Sequence, residues 1–135
     1  MSFVILVTGD RNWIPYNATH FGTIQKILYG FRKHHPIIVH GAARGVDSIA
    51  DYHARQLGYE VRPHPAEWDK YHKAAGPIRN TEMLQEKPDL VLAFHNDLVN
   101  SKGTKNMVNQ AVKAGIPTIH ITGAGVRTVI TSKVP

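Results

Sequence analysis

The chain has 135 residues, enough to enclose one hydrophobic core and too few for a second independent one, so it reads as one domain over 1–135. It holds no cysteine, which excludes disulfides, thiolate chemistry and cysteine zinc sites and fits a reducing, intracellular setting. Lys and Arg number 16 against 10 Asp and Glu; the formal charge of +6 favours anionic partners without choosing among nucleotides, nucleic acid and acidic surfaces.

The first element is the apolar run Phe3 to Val7, read as a buried strand. It lacks the basic lead-in of a secretory signal, and no apolar stretch nears bilayer-spanning length, so a soluble, cytoplasmic protein with no membrane contact is expected. Behind it "TGDRNW" (Thr8 to Trp13) forms a loop containing Gly9, Asp10 and Arg11. Ile24, Ile27, Leu28 and Phe31 then make a helical stripe, followed by a second strand over Ile37 to Val39 and the loop "HGAARGVDS". The clearest helix spans Val46 to Leu57, where Val46, Ile49, Ala50, His53, Ala54 and Leu57 share one face and Gly58 supplies the stop. Glu60 to Arg62 is a third, weaker strand. The segment "WDKYHKAAGPIRNTEM" (Trp68 to Met83) breaks the rhythm; Pro77 suits a first helical turn and holds Arg79 and Asn80 near the helix start. Trp68 and Tyr71 either stack on a base or cover the core, the latter being the commoner use of such aromatics. Leu90 to Phe94 is a fourth strand, with "HNDLVNSKGTKN" (His95 to Asn106) behind it. A stripe of Met107, Val108, Ala111 and Val112 ends at Gly115 and Pro117, and Thr118 to Ile121 is a fifth strand. Residues 123–135 are either a short extra strand or a loose tail.

Strand and helix alternate throughout, which predicts an α/β, Rossmann-like fold: a mostly parallel five-stranded sheet with helices on both faces and ligands beyond the carboxyl ends of its strands. Two loops on that edge place a glycine at a helix start, Gly45 before Val46 and Gly103 before Thr104. Free amides, the positive end of the helix dipole and the missing side chain suit such a position to an anion. Arg44 and Lys102 would add charge, while Asp47 either caps its helix or takes a ribose hydroxyl. A glycine between strand and helix equally serves a tight turn with no ligand at all. Neither loop matches a Walker A pattern or a complete G-x-G-x-x-G, which disfavours a conventional P-loop NTPase or NAD dehydrogenase. The nine histidines show no metal-binding spacing; His34-His35 falls in a loop, His53 on an apolar helix face suits a hydrogen-bonded structural role, and neither metal nor cofactor is expected. No G-x-S-x-G elbow is present to suggest a serine hydrolase.

Taken together, "VTGDRNW", "HGAARGVDSIAD", "AAGPIRNTEM" and "KGTKNMVNQA" resemble the SLOG superfamily, which includes the LONELY GUY phosphoribohydrolases and the DNA-processing protein A domain, and within it a small stand-alone branch of unassigned activity. The resemblance runs from Phe3 to Ile121. It implies binding of a nucleotide or nucleotide-derived molecule, such as a nucleoside phosphate or an ADP-ribose-like ligand, by Gly9, Asp10 and Arg11, by Gly41, Arg44, Gly45 and Asp47, by Arg79 and Asn80, and by Lys102, Gly103 and Thr104. The phosphoribohydrolases resemble one another in a "PGGxGTxxE" loop whose glutamate works with an arginine of an "RKxxM" segment. Here Arg79 is in register with the arginine, but Met107 stands where the glutamate belongs. Methionine moves no proton and stabilises no oxocarbenium charge, so that route lacks its carboxylate. The expectation is therefore a sensor, carrier or sequestering module. The alternative is an N-glycosidic hydrolase in which Asp10, Asp47 or Glu82 replaces the glutamate and Arg79 grips phosphate. Single-stranded DNA binding ranks third, because Lys26, Arg32, Lys33, Lys70 and Lys73 are scattered rather than arrayed. A homodimer is implied by helix-paired relatives in the superfamily and by an apolar surplus at Met107 and Val108.

Overall fold

A computed structural model describes residues 2–135. Strand β1 (Val4–Gly9) leads into helix α1 (Ala18–Gly30), whose start is capped by Asn17 accepting the Thr19 and His20 amides at 3.0 and 3.1 Å. Strand β2 (Ile37–His40) feeds helix α2 (Val46–Gln56), and strand β3 (Glu60–Pro63) feeds a single turn α3 (Trp68–Tyr71) and then α4 (Ala75–Leu84). Strand β4 (Leu90–Phe94), helix α5 (Gly103–Lys113), strand β5 (Thr118–Ile121) and strand β6 (Arg127–Ile130) complete the chain.

The sheet has the order β3-β2-β1-β4-β5-β6, parallel from β1 to β5. It thus has six strands rather than the expected five. The additional one comes from the segment left open as strand or tail: a turn at Gly125 (φ 85°) folds Arg127–Ile130 back antiparallel onto β5. Side-chain alternation along β1 explains why both faces are covered. Ile5 and Val7 meet Ile24 and Leu28 of α1 and Val46, Ile49 and Ala50 of α2; Val4 and Leu6 meet Met83 of α4 and Met107 and Ala111 of α5. Met107 and Val108 are fully buried within the one chain. They form no apolar surplus, and the sequence argument for a dimer from these residues does not stand.

This arrangement puts the chain reversal of the sheet between β1 and β4, whose carboxyl ends open side by side. In open α/β sheets the crevice at such a switch point is where ligands bind. Among the described residues no helix is long and apolar enough to cross a membrane.

Candidate functional site

Three loops, the single turn α3 and helix α4 converge beyond the carboxyl ends of β1, β2 and β3. They enclose a cleft of about 310 Å³ lined by Arg11, Gly41, Ala42, Ala43, Arg44, Pro65, Ala66, Trp68 and Arg79. Its β2 loop is held in shape from behind. Asp47, in the first turn of α2, accepts the Gly41 and Ala43 amides on Oδ2 at 3.1 and 3.3 Å. His40 accepts the Ala42 amide on Nδ1 at 2.9 Å, which leaves Nε2 protonated to donate to Asp51 at 2.7 Å. Ser48 donates to the Ala43 carbonyl at 3.1 Å.

Arg79 is the central cation. It is 8 % exposed, donates through Nη1 to the Gly41 and His64 carbonyls and through Nε to Asn80 at 3.1 Å, and its Nη2 has no partner among the described residues. The guanidinium lies against Gly41, where a Cβ would stand 2.6 Å from the guanidinium carbon and require the Arg79 side chain to shift. Burial pushes the Arg79 pKa downward, with the Asp47 charge opposing the shift. Burial pushes the Asp47 carboxyl above its ordinary range, while the neighbouring His40 ring, the Ala43 amide and Arg79 oppose it. Arg11 lies over the Trp68 ring at 5.3 Å, and Arg44 reaches back to the Arg11 carbonyl at 3.3 Å.

The expected site residues sort by position. Arg11, Gly41, Arg44 and Arg79 come together in the cleft. Asn80 lies behind it, buried, and ties α4 to α5 through the Gly103 carbonyl at 3.3 Å and Asn106 at 3.0 Å. Gly103 and Thr104 open α5 on the same sheet edge. Lys102 instead lines an open groove along α5 with Lys105, Lys113 and Lys133. Asp47 is 6 % exposed and its Oδ1 is sealed without a hydrogen-bond partner among the described residues, so it braces the loop rather than meeting a ribose or a reacting atom. Gly9 and Gly45 are packing glycines. A Cβ on Gly9 would stand 2.6 Å from Val46, and one on Gly45 2.6 Å from the Arg11 backbone. The first amide of α2, on Val46, is already taken by the Asp10 carbonyl at 3.0 Å, whereas the Ser48 amide has no backbone acceptor among the described residues.

Two positions differ from expectation. Trp68 does not cover the core; it is 46 % exposed and forms a wall of the cleft, because the short α3 presents its ring across Gly76 rather than beneath the sheet. His95 was not singled out by any motif. It sits at the β1/β4 crevice with Nε2 3.8 Å from Asp10 Oδ2. Among the described residues no group of three or more His, Asp or Glu is placed to hold a metal ion.

Set against known proteins, residues 3–71 match the family model described as the YspA, cpYpsA-related SLOG family. The Gene 61 protein of Mycobacterium phage D29 is 39 % identical over 124 residues, covering 86 % of this chain and 94 % of that protein. Similar folds occur in DNA processing protein A from Streptococcus pneumoniae (TM-score 0.71, 17 % identity, 89 % of this chain) and the molybdenum cofactor binding protein from Rippkaea orientalis (TM-score 0.67, 17 % identity, 90 % of this chain and 77 % of that one). The molybdenum cofactor carrier protein from Chlamydomonas reinhardtii follows at a TM-score of 0.62, 16 % identity, 90 % of this chain and 78 % of that one. This chain spans 50 % of the length of the Streptococcus protein.

Proposed function

Because the chain belongs to the YspA, cpYpsA-related SLOG family, we propose that it captures a nucleotide or nucleotide-derived anion at the carboxyl edge of its sheet, as a sensor, carrier or sequestering module. One observation carries this reading. Arg11, Arg44 and Arg79 line a single cleft beside an exposed indole, and no Asp or Glu lines it with them. Guanidinium groups take phosphate oxygens in paired, charge-assisted hydrogen bonds, and an indole beside them takes a planar base. A volume of about 310 Å³ lies at the small end of ordinary ligand pockets, which fits a mononucleotide or one half of a dinucleotide-like ligand.

Capture rather than turnover is favoured by what stands behind the cleft. The Met107 side chain lies in the core with Met83 and Val91, so no proton-transfer group reaches the edge from that position. Two proteins of the same fold are named for binding or carrying a cofactor, which supports the same reading. Hydrolysis is a second reading for one reason: Asp10, unlike Asp47, keeps a carboxylate oxygen open to the crevice.

The test is mass spectrometry of small molecules released by denaturing the purified protein, followed by calorimetry with the compound found. A stoichiometric intact nucleotide that the R11A and R44A variants bind about 10- to 100-fold more weakly is expected, the range for losing a charged hydrogen bond. Free base or ribose phosphate in place of the intact ligand would move the assignment to the hydrolase, and unchanged affinity in both variants would remove the cleft from the site.

A further inference from the structure

The crevice between β1 and β4 holds two side chains whose every other hydrogen-bonding group is already committed. Asp10 is fixed at both backbone ends: its amide donates to the Phe94 carbonyl and its carbonyl accepts the Val46 amide, both at 3.0 Å. Its Oδ1 accepts the Asn12 amide at 2.7 Å, which leaves Oδ2 as the free acceptor. His95 is fixed as tightly. Its amide donates to Ile121 at 3.0 Å, its carbonyl accepts from His120 Nε2 at 2.6 Å, and its Nδ1 accepts the Asp97 amide at 2.9 Å. An Nδ1 that accepts an amide proton leaves the ring proton on Nε2, which faces Asp10 Oδ2.

One acceptor and one donor therefore point into the same gap, 3.8 Å apart. That separation is too long for a hydrogen bond between them and short enough for a single oxygen to bridge both. With side chains 21 % and 14 % exposed, the pair is recessed but open to the edge. Burial pushes the His95 pKa down, with the Asp10 and Asp97 charges opposing, which keeps the neutral donor form.

We propose that Asp10 and His95 form a hydroxyl-binding subsite that recognises a ribose-type hydroxyl of the ligand held by the arginine cleft. The chemistry selects the group. A phosphate oxygen would be repelled by the Asp10 carboxylate, and an ammonium would meet the His95 N–H proton to proton. A hydroxyl donates to Oδ2 and accepts from Nε2–H through one atom. Position agrees with this, since Arg11, which lines the cleft, is the next residue after Asp10. The subsite rests on the proposed capture of a nucleotide and adds the sugar to its phosphate.

Calorimetry with AMP, 2′-deoxy-AMP, 3′-deoxy-AMP and pyrophosphate separates the two ideas. The wild type should bind AMP about tenfold more tightly than one of the deoxy analogues, the size of one hydrogen bond to a charged group. D10N and H95F should lose that preference, the AMP and deoxy-analogue affinities of each variant becoming equal. H95Q, which keeps an N–H donor, should retain part of it even if H95F proves poorly folded. Equal wild-type affinity for AMP and both deoxy analogues would mean that the pair binds only water, and would overturn the subsite while leaving the cleft standing. A loss in the variants shared equally by AMP and both analogues would also overturn it. If the wild type binds neither pyrophosphate nor AMP, the capture reading fails and the subsite with it.

Discussion

Gly45 carries two demands at once, and the structure separates them. Its φ of 79° with ψ of −129° suits glycine alone, and a Cβ would strike the Arg11 backbone. The same glycine that looks suited to a phosphate thus exists first to let the β1 loop cross the start of α2. The backbone contact makes a larger residue at 45 a defect of the fold as well as of binding. G45A should lose about 2 kcal/mol or more in chemical denaturation, together with ligand binding. A stable G45A with intact affinity would show that the loops move apart freely. Met107 poses the converse question. It occupies the register of a catalytic glutamate, yet it is fully buried among Val4, Leu6 and Val39. M107E therefore should not restore hydrolysis. It should place an unpaired carboxylate in the core at a cost of several kcal/mol, seen as a lowered thermal midpoint and no release of base from AMP. A folded, hydrolytic M107E would mean that the side chain turns out to the edge.

Elements, unlike single residues, were largely legible in the sequence, because buried parallel strands are unbroken apolar runs and covering helices keep an apolar stripe. Leu90–Phe94 and Thr118–Ile121 match their predicted bounds, and α2 differs from expectation by one residue. β6 was not legible, since an edge strand with Arg127, Thr128 and Val129 exposed carries no burial pattern. His53 shows how an element is held. It is 3 % exposed on α2, hydrogen-bonds the Phe21 carbonyl of α1 through Nε2 at 3.0 Å, and packs edge-on against the Phe21 ring. Burial lowers its pKa, and the Phe21 carbonyl opposes the shift only in part. The unfolded chain then takes up a proton near pH 6.5 that the folded chain refuses, so stability is full above that pH and falls as pH drops toward the folded value. The ceiling for one such group is about 1.4 kcal/mol per pH unit. Denaturant midpoints at pH 7.5 and 5.5 should fall for the wild type and fall less for H53Q. Subtracting the two proteins cancels Asp47, whose upward shift acts in the opposite sense. Parallel pH profiles would remove His53 as the cause.

For the whole molecule, charge and topology have to be weighed together. The sequence showed cations scattered along the chain, and one dimension could not show which of them meet. Folding brings Arg11, Arg44 and Arg79 from three segments to one cleft and sends Lys102 to a separate groove with Lys105, Lys113 and Lys133. The Asp10–His95 pair was hidden for the same reason, as its members directly follow strands that are neighbours in the sheet and distant in sequence. An extended nucleic acid would draw on the net charge of +6 as a whole, and its affinity would fall steeply between 50 and 200 mM salt. A small ligand in the arginine cleft acts by local contact, and its bonds to the buried Arg79 are screened less than those to the exposed Arg11 and Arg44. A ligand that binds only the folded state at about 100 times its dissociation constant adds about 2.7 kcal/mol of stability. For a chain of 135 residues that raises the thermal midpoint by roughly 10 °C. AMP at saturation should produce such a rise in the wild type and little of it in an R11A/R44A double variant, whose own midpoint should match the wild type because both arginines are exposed. A midpoint raised equally in both proteins would place the nucleotide elsewhere on the molecule, and the groove along α5 would become the first place to look.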